Sequence, residues 1–295
     1  MGWLRTSLWT IPALIGLFKV TIASADTITL IPTEDTTITE KDFSLTGGSG
    51  ATLDSGTTGP NEGLKRNRAL LKFDLATTIP SNAIVTSAAL TLTLVQRPNS
   101  TSLWFSLHKL LQNWSEAAAT WTNGLSPPAP WTSPGAVAPQ DYASFASQSN
   151  LITTLGSSTF NSNPGIVADV QDWINNPANN FGWILICEDE ELDKSVRKFA
   201  SKESDIVTNI PSLEVQFTLS SPPIILALLP ATNAVFQFQF NAESNTSYTV
   251  LYAADLVTTN WTSLTNIAPL SAASTILVSD PLFMDTNRFY RVRTP

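Results

Sequence analysis

Cations that could clasp a carboxylate gather early in the chain. Lys65-Arg66-Asn67-Arg68 is followed by Lys72, and an arginine fork grips a carboxylate through two parallel hydrogen bonds. If Leu71, Phe73 and Leu75 face a core, strand alternation sends Arg66, Arg68 and Lys72 to the outer side. The same parity in Leu103-Trp-Phe-Ser-Leu-His-Lys109 turns Trp104, Ser106 and His108 outward. A face carrying Arg66, Arg68, Lys72, Trp104 and His108 would hold a uronate chain, with guanidinium on carboxylate and the indole as a stacking platform. The competing reading is a solvated face with scattered cations. Sequence leaves open whether the two strands are neighbours.

Two other clusters carry polar chemistry. Trp114-Ser-Glu-Ala-Ala-Ala-Thr-Trp121, with Trp131 beyond it, either offers rings for stacking on a pyranose or pins a long loop, each ring burying roughly 150–250 Å². Glu116 would hold that loop by accepting backbone N–H bonds or by binding a structural cation. The acidic run Glu188-Asp-Glu-Glu-Leu-Asp193 offers oxygens to Ca²⁺, which takes about six to eight of them. Its other reading is a solvated hairpin tip offset by Lys194, Arg197 and Lys198. EF-hand spacing is absent. A structural calcium is thus the one cofactor left open.

Catalysis finds little to work with. His108 and Cys187 are the sole residues of their types, which removes a thiolate zinc cluster, an intrachain disulfide and most multi-imidazole metal sites. The sequence has no G-x-S-x-G elbow, H-E-x-x-H pair or phosphate loop. A Ser-His-Asp triad would have to use His108, in the middle of a strand. A glycosidase needs only two carboxylates, a requirement too loose to identify one. No enzyme activity is expected, and Cys187 is read as a small buried hydrophobe.

The elements that must position these residues are strands. The apolar fraction is 43% and the charged fraction 14%, a composition that excludes disorder as the main state. Leu90, Leu92 and Leu94 alternate with Thr91 and Thr93, and Leu213, Val215, Phe217 and Leu219 repeat the pattern. Further strands are expected at 27–31, 69–75, 103–110 and 183–187, the last apolar on both faces as an inner strand should be. Only 166–175 has helical period, with Val167, Val170, Trp173 and Ile174 on one face. Many strands with one short helix predict an antiparallel jelly-roll β-sandwich over 26–220. After Ser220-Ser-Pro-Pro223, strands at 235–240, 247–252 and 288–293 predict a small immunoglobulin-like or fibronectin-like sandwich over 221–295.

The first 25 residues read as a secretory signal, with Arg5, an apolar stretch from Ile11 to Ile22, and Ala23-Ser24-Ala25 as the cleavage pattern. A membrane anchor is the alternative, but the stretch is interrupted by Lys19 and falls short of the roughly 20 residues a bilayer needs. Later apolar stretches are shorter still, so no membrane insertion is expected once the signal is removed. The formal charge of −8 becomes more negative when Arg5 and Lys19 go, and nucleic acid is not an expected partner.

A family resemblance rests on pieces that follow one another in order. They are Arg68-Ala-Leu-Leu-Lys-Phe-Asp-Leu75, Ile79 to Leu94, Trp114-Ser-Glu116 with Thr120-Trp121, Asp169-Val-Gln-Asp-Trp173, Asn180-Phe-Gly-Trp183, Arg197 to Glu203, and Pro211 to Val215. Together they resemble a DNRLRE-type domain over about 26–220, similar to jelly-roll carbohydrate-binding modules, some linked to alginate and related acidic polysaccharides. The tail, with Tyr248-Thr-Val, Asn260-Trp261 and Arg288-Phe-Tyr-Arg-Val292, resembles a small C-terminal β domain of secreted proteins in Verrucomicrobia-like bacteria. The resemblance implies a secreted or cell-surface, non-catalytic protein whose partner is an extracellular polysaccharide, with the Trp114–Trp121 motif as framework. A structural or adhesive protein of the surface or matrix, without a specific glycan, is the alternative.

Overall fold

The computed structural model describes residues 25–126, 129–219, 227–229, 235–254, 261–281 and 288–294. The expected signal, apart from Ala25, and the expected proline junction at 220–223 lie outside them. Contacts divide the protein into one compact unit over Ser24–Ser220 and another containing residues 221–295.

The first unit opens with β1 (Asp26–Leu30), β2 (Glu34–Thr39), β3 (Thr52–Thr57), β4 (Arg66–Lys72), β5 (Ala83–Gln96) and β6 (Leu103–Lys109). A minor hairpin, β7 (Asn123–Leu125) with β8 (Ala129–Pro130), sits in the long connection to β9 (Gln148–Ile152) and β10 (Gly156–Phe160). Then come α1 (Pro164–Asn175), β11 (Trp183–Cys187), β12 (Arg197–Ala200) and β13 (Ser212–Leu219). One layer runs β1-β13-β5-β12-β3 with β10 on β5, and the other runs β4-β11-β6-β9 with β2 on β4. All pairings are antiparallel. Strand β3 joins the layers, since Thr52 to Ser55 pair with β12 while Gly56 and Thr57 pair with β4. The chain changes layer from β4 to β5, from β5 to β6 and from β11 to β12, as in a jelly roll.

The core lies between the layers, where Leu90, Leu92 and Leu94 of β5 meet Leu71, Leu103, Phe105, Leu107, Trp183 and Leu185. Alternation was therefore a true guide to the inner face. Strand β4 begins at Arg66 and stops at Lys72, earlier than the expected 69–75, although Phe73 and Leu75 remain buried. Asp74 starts a turn there, its carboxylate accepting the N–H and hydroxyl of Thr77. Helix α1 starts at Pro164, with Asn163 Oδ1 accepting the N–H of Ile166 at 2.9 Å. It closes one end of the core through Ile166, Val170, Trp173 and Ile174.

The second unit contains β14 (Ala227–Leu228), β15 (Phe236–Ala242), β16 (Tyr248–Ala253), β17 (Thr262–Ile267), β18 (Ser274–Asp280) and β19 (Phe289–Arg293). Two sheets, β14-β15-β18 and β17-β16-β19, bury Phe238, Phe240 and Val278 against Tyr248, Val250, Tyr290 and Val292. Both units are the all-β sandwiches the alternation predicts.

Candidate functional site

The outer face of the β4-β11-β6 layer is roofed. Ile38, Leu70, Ile184 and Ile186 are covered by Leu110, Trp114, Ala119, Trp121, Trp131 and Ala136, all from the connection after β6. Trp114 and Trp121 are 1% exposed and Trp131 4%. The indole N–H of Trp114 donates to Phe181 O at 2.7 Å and that of Trp131 to Thr120 O at 3.0 Å. These rings pin a loop and leave no face for a sugar. Asp141, also fully buried, closes the loop by accepting from Gln112 Nε2, from Thr132 through its N–H and hydroxyl, and from the N–H of Val137.

The five residues expected to form a polysaccharide site do not assemble into an open face. Strands β4 and β6 are not neighbours, because β11 runs between them with Ile184 opposite both Leu70 and His108. Arg66 holds Glu40 at 3.1 Å. Arg68 is clamped by Glu190 at 2.9 and 2.7 Å, and its Nη1 donates to the carbonyls of Gly135 and Ala136. Both guanidiniums lie over Trp121, 5.5 and 5.8 Å from the ring centre. Lys72 pairs with Glu34 at 2.9 Å. His108 donates from Nδ1 to Ala143 O at 2.9 Å and meets the Tyr142 ring edge-on. Trp104 is 47% exposed and the Arg66 side chain 38%, whereas Arg68, Lys72 and His108 are largely covered. The arginine forks grip carboxylates as their chemistry suggests, but the carboxylates are the chain's own.

The acidic run 188–193 is the turn between β11 and β12. Glu190 serves Arg68 and Glu188 accepts from Ser106 Oγ. A grouping of three carboxylates lies elsewhere, at Asp35, Glu116 and Glu203. Burial, with Glu203 and Glu116 adding to it against the N–H of Lys202, pushes Asp35 up to about 7. Burial also lifts the Cys187 thiol to about 11, consistent with an unreactive packing residue.

An open groove of about 290 Å³ lies where β3 leaves β12 for β4. Thr37 and Thr39 project into it from β2, Thr52 and Asp54 from β3, Asn67 from β4, and Gln96 and Arg97 from the end of β5. Lys41, Glu62 and Lys198 complete the charged lining, so three cations face two carboxylates. Lys198 is paired with Asp54, and Arg97 donates to Thr153 O. Exposed Lys41 has no ion-pair partner among the described residues. Thr37 Oγ1 accepts the N–H of Asp54 at 2.9 Å, and Asn67 donates to Gly56 O and Lys65 O. Among the described residues no aromatic ring lines the groove. Its lining offers hydroxyl, amide, cation and carboxylate groups beside the apolar Leu45, Pro98 and Val196. Sequence reasoning missed these residues because they come from five strands, three of which (β2, β3 and β12) were not anticipated. The one signal was Thr36-Thr-Ile-Thr39, which reads as a strand with a hydroxyl face.

Residues 26–147 match carbohydrate-binding module family 96. The matched stretch runs from β1 through the roof, so it contains the groove residues from Thr37 to Pro98 but not Val196 or Lys198. It supports a carbohydrate-binding module domain in this part of the chain. A search of curated proteins finds no match. Beyond the matched stretch, but in the same compact unit, Asp169, Trp183 and Asn180 hold the framework. Asp169 accepts from Ser147 Oγ and from Trp183 Nε1 at 2.8 Å, and Asn180 donates to Phe73 O at 2.7 Å. His108 faces a carbonyl on the nitrogen a triad would give to a carboxylate. Among the described residues no helix is long and apolar enough to cross a membrane.

Proposed function

We propose that the protein is a secreted, non-catalytic polysaccharide-binding protein whose first unit takes an acidic glycan chain in the β2/β3/β12 groove. The observation that carries this reading is the placing of Lys41, Arg97 and Lys198 beside Thr37, Thr39, Asn67 and Gln96 in one open groove, largely within the stretch that matches a carbohydrate-binding module. Sugar hydroxyls need donors and acceptors at short range, and uronate carboxylates need cations. The groove supplies both. In this reading Arg66, Arg68, Lys72 and His108 hold the roof and do not touch the glycan. Secretion is supported by residues 1–25 and by the likeness to DNRLRE-type secreted domains.

Affinity electrophoresis of the whole chain in gels containing alginate, pectin, xylan or cellulose tests the proposal. Retardation by alginate or pectin is expected, and Lys41→Glu combined with Arg97→Ala should weaken it at least about tenfold, a loss of about 1.4 kcal/mol. Lys72→Ala should leave it unchanged. Retardation that is lost in Arg66→Ala and retained in the groove variant would move the site to the roofed face. If no glycan slows the chain, the structural or adhesive reading replaces this one.

A further inference from the structure

Asp35 lies on the same face of β2 as Thr37 and Thr39, by strand alternation, one step along from the groove. It is 1% exposed. Its Oδ2 accepts the N–H of Lys202 at 2.8 Å, while Oδ1 meets no N–H or O–H donor among the described residues and the carboxyl group lies against that of Glu203. Glu116 comes from the roof and Glu203 from the turn after β12. One carboxylate oxygen from each of the three lies within 4.8 Å of the others. The ammonium of Lys202 contacts Glu116 at 2.8 Å and also Glu203, which leaves one cation among three carboxylates. A buried carboxylate oxygen without a donor is costly, and charges gathered away from water are ordinarily paired or bound to metal.

The surroundings close tightly on this point. A Cβ on Gly48 would lie 2.3 Å from Glu116 Cγ, and one on Gly47 would lie 2.4 Å from Thr37 O. Ser201 Oγ donates to Gly50 O at 2.7 Å. Strand β2, the Gly47–Gly50 loop, the roof and the 201–203 turn therefore converge here, from stretches far apart in sequence. We propose that Asp35, Glu116 and Glu203 form a binding site for a divalent cation, Ca²⁺ by its donor set, that braces the wall of the groove. The donors are all oxygen, which selects hard cations. Oxygens this close can share one ion at calcium–oxygen lengths of about 2.3–2.6 Å. Mg²⁺ demands near-ideal octahedral geometry, which three carboxylates from unconnected segments are poorly placed to supply. The site needs no glycan, so it stands or falls separately from the polysaccharide reading.

The test is calorimetric titration of the EDTA-treated, desalted chain with CaCl₂ and with MgCl₂, alongside thermal unfolding with and without each salt. One Ca²⁺ per chain is expected, at a dissociation constant of about 1 mM or below, as in extracellular modules. The unfolding midpoint should rise by a few degrees with Ca²⁺ and less with Mg²⁺. Asp35→Asn should abolish both effects. Should that variant not fold, Glu116→Gln, at a partly exposed position, should weaken Ca²⁺ at least about tenfold with an unchanged circular dichroism spectrum. Absence of heat and of any midpoint shift overturns the proposal, as does a Glu116→Gln variant that binds Ca²⁺ like the parent. A parent chain that is indifferent to Ca²⁺ while Asp35→Asn is more stable also overturns it, and shows that a proton neutralises the cluster.

Discussion

Arg197 carries its guanidinium to 0% exposure with no carboxylate paired to it among the described residues. It donates to the carbonyls of Lys194, Ser195 and Val196 through Nη1, and to Asn99 Oδ1 and Thr101 O through Nη2. Burial lowers its pKa. Sequence reasoning used this arginine as a surface offset for the acidic run, because nothing local reveals that the 99–101 loop returns to it. Arg197→Met removes the donors and strands buried carbonyls, so it should cost about 3 kcal/mol or more, read from urea unfolding. His108 carries a pH effect. Burial pulls its pKa below 6.5, and Arg68 adds to this while Ala143 and Glu188 oppose it. The unfolded chain takes up a proton near that value and the folded chain only at lower pH. Stability due to this residue is thus complete above about pH 6.5 and is lost as pH falls through it. His108→Asn keeps a donor toward Ala143 O. Its urea midpoint should fall less than the parent's between about pH 7.5 and about pH 5.5.

At the scale of elements, the roof is held by packing and by one ring with two guanidiniums over it. Trp121 is 1% exposed, with Arg66 and Arg68 over it, and Gly135 approaches at φ +89°. A Cβ there would lie 2.5 Å from the indole, so both the bare backbone and the left-handed conformation require glycine. Trp121→Ala should cost about 3–5 kcal/mol and expose the 110–147 segment to proteolysis before global unfolding. Strands β5, β11 and β13 were legible because apolar residues alternate or run without break. Strands β2 and β3 were not, since Glu34-Asp-Thr-Thr-Ile-Thr39 and Thr52-Leu-Asp-Ser-Gly-Thr57 bury one large apolar residue each, Ile38 and Leu53, and otherwise mainly hydroxyls. Ser55 Oγ donates to Leu185 O at 3.0 Å and Thr57 Oγ1 to Glu190 O at 2.5 Å. Buried hydroxyls satisfied this way look like loop residues to a pattern based on hydrophobicity.

Across the whole molecule, a formal charge of −8 repels polyanions, so the acidic glycan proposed above would need a local field to hold it. The groove supplies one, with three cations against two carboxylates. The retardation expected with alginate or pectin should accordingly weaken as salt rises and the Debye length shrinks below about 10 Å. Composition and alternation alone determined that the chain is a β-sandwich protein with two units and no catalytic motif, because burial of apolar residues on one strand face is a local property. Sequence also placed Arg66, Arg68 and Lys72 on the outer side of β4. Only the tertiary structure decided that this side is roofed, that each of these cations already holds a carboxylate, and that the open polar surface lies where β2, β3, β5 and β12 meet. Which charges find one another depends on strand order and on the return path of the long loop after β6. Those pairings join residues as far apart as Arg68 and Glu190, and no local pattern records them.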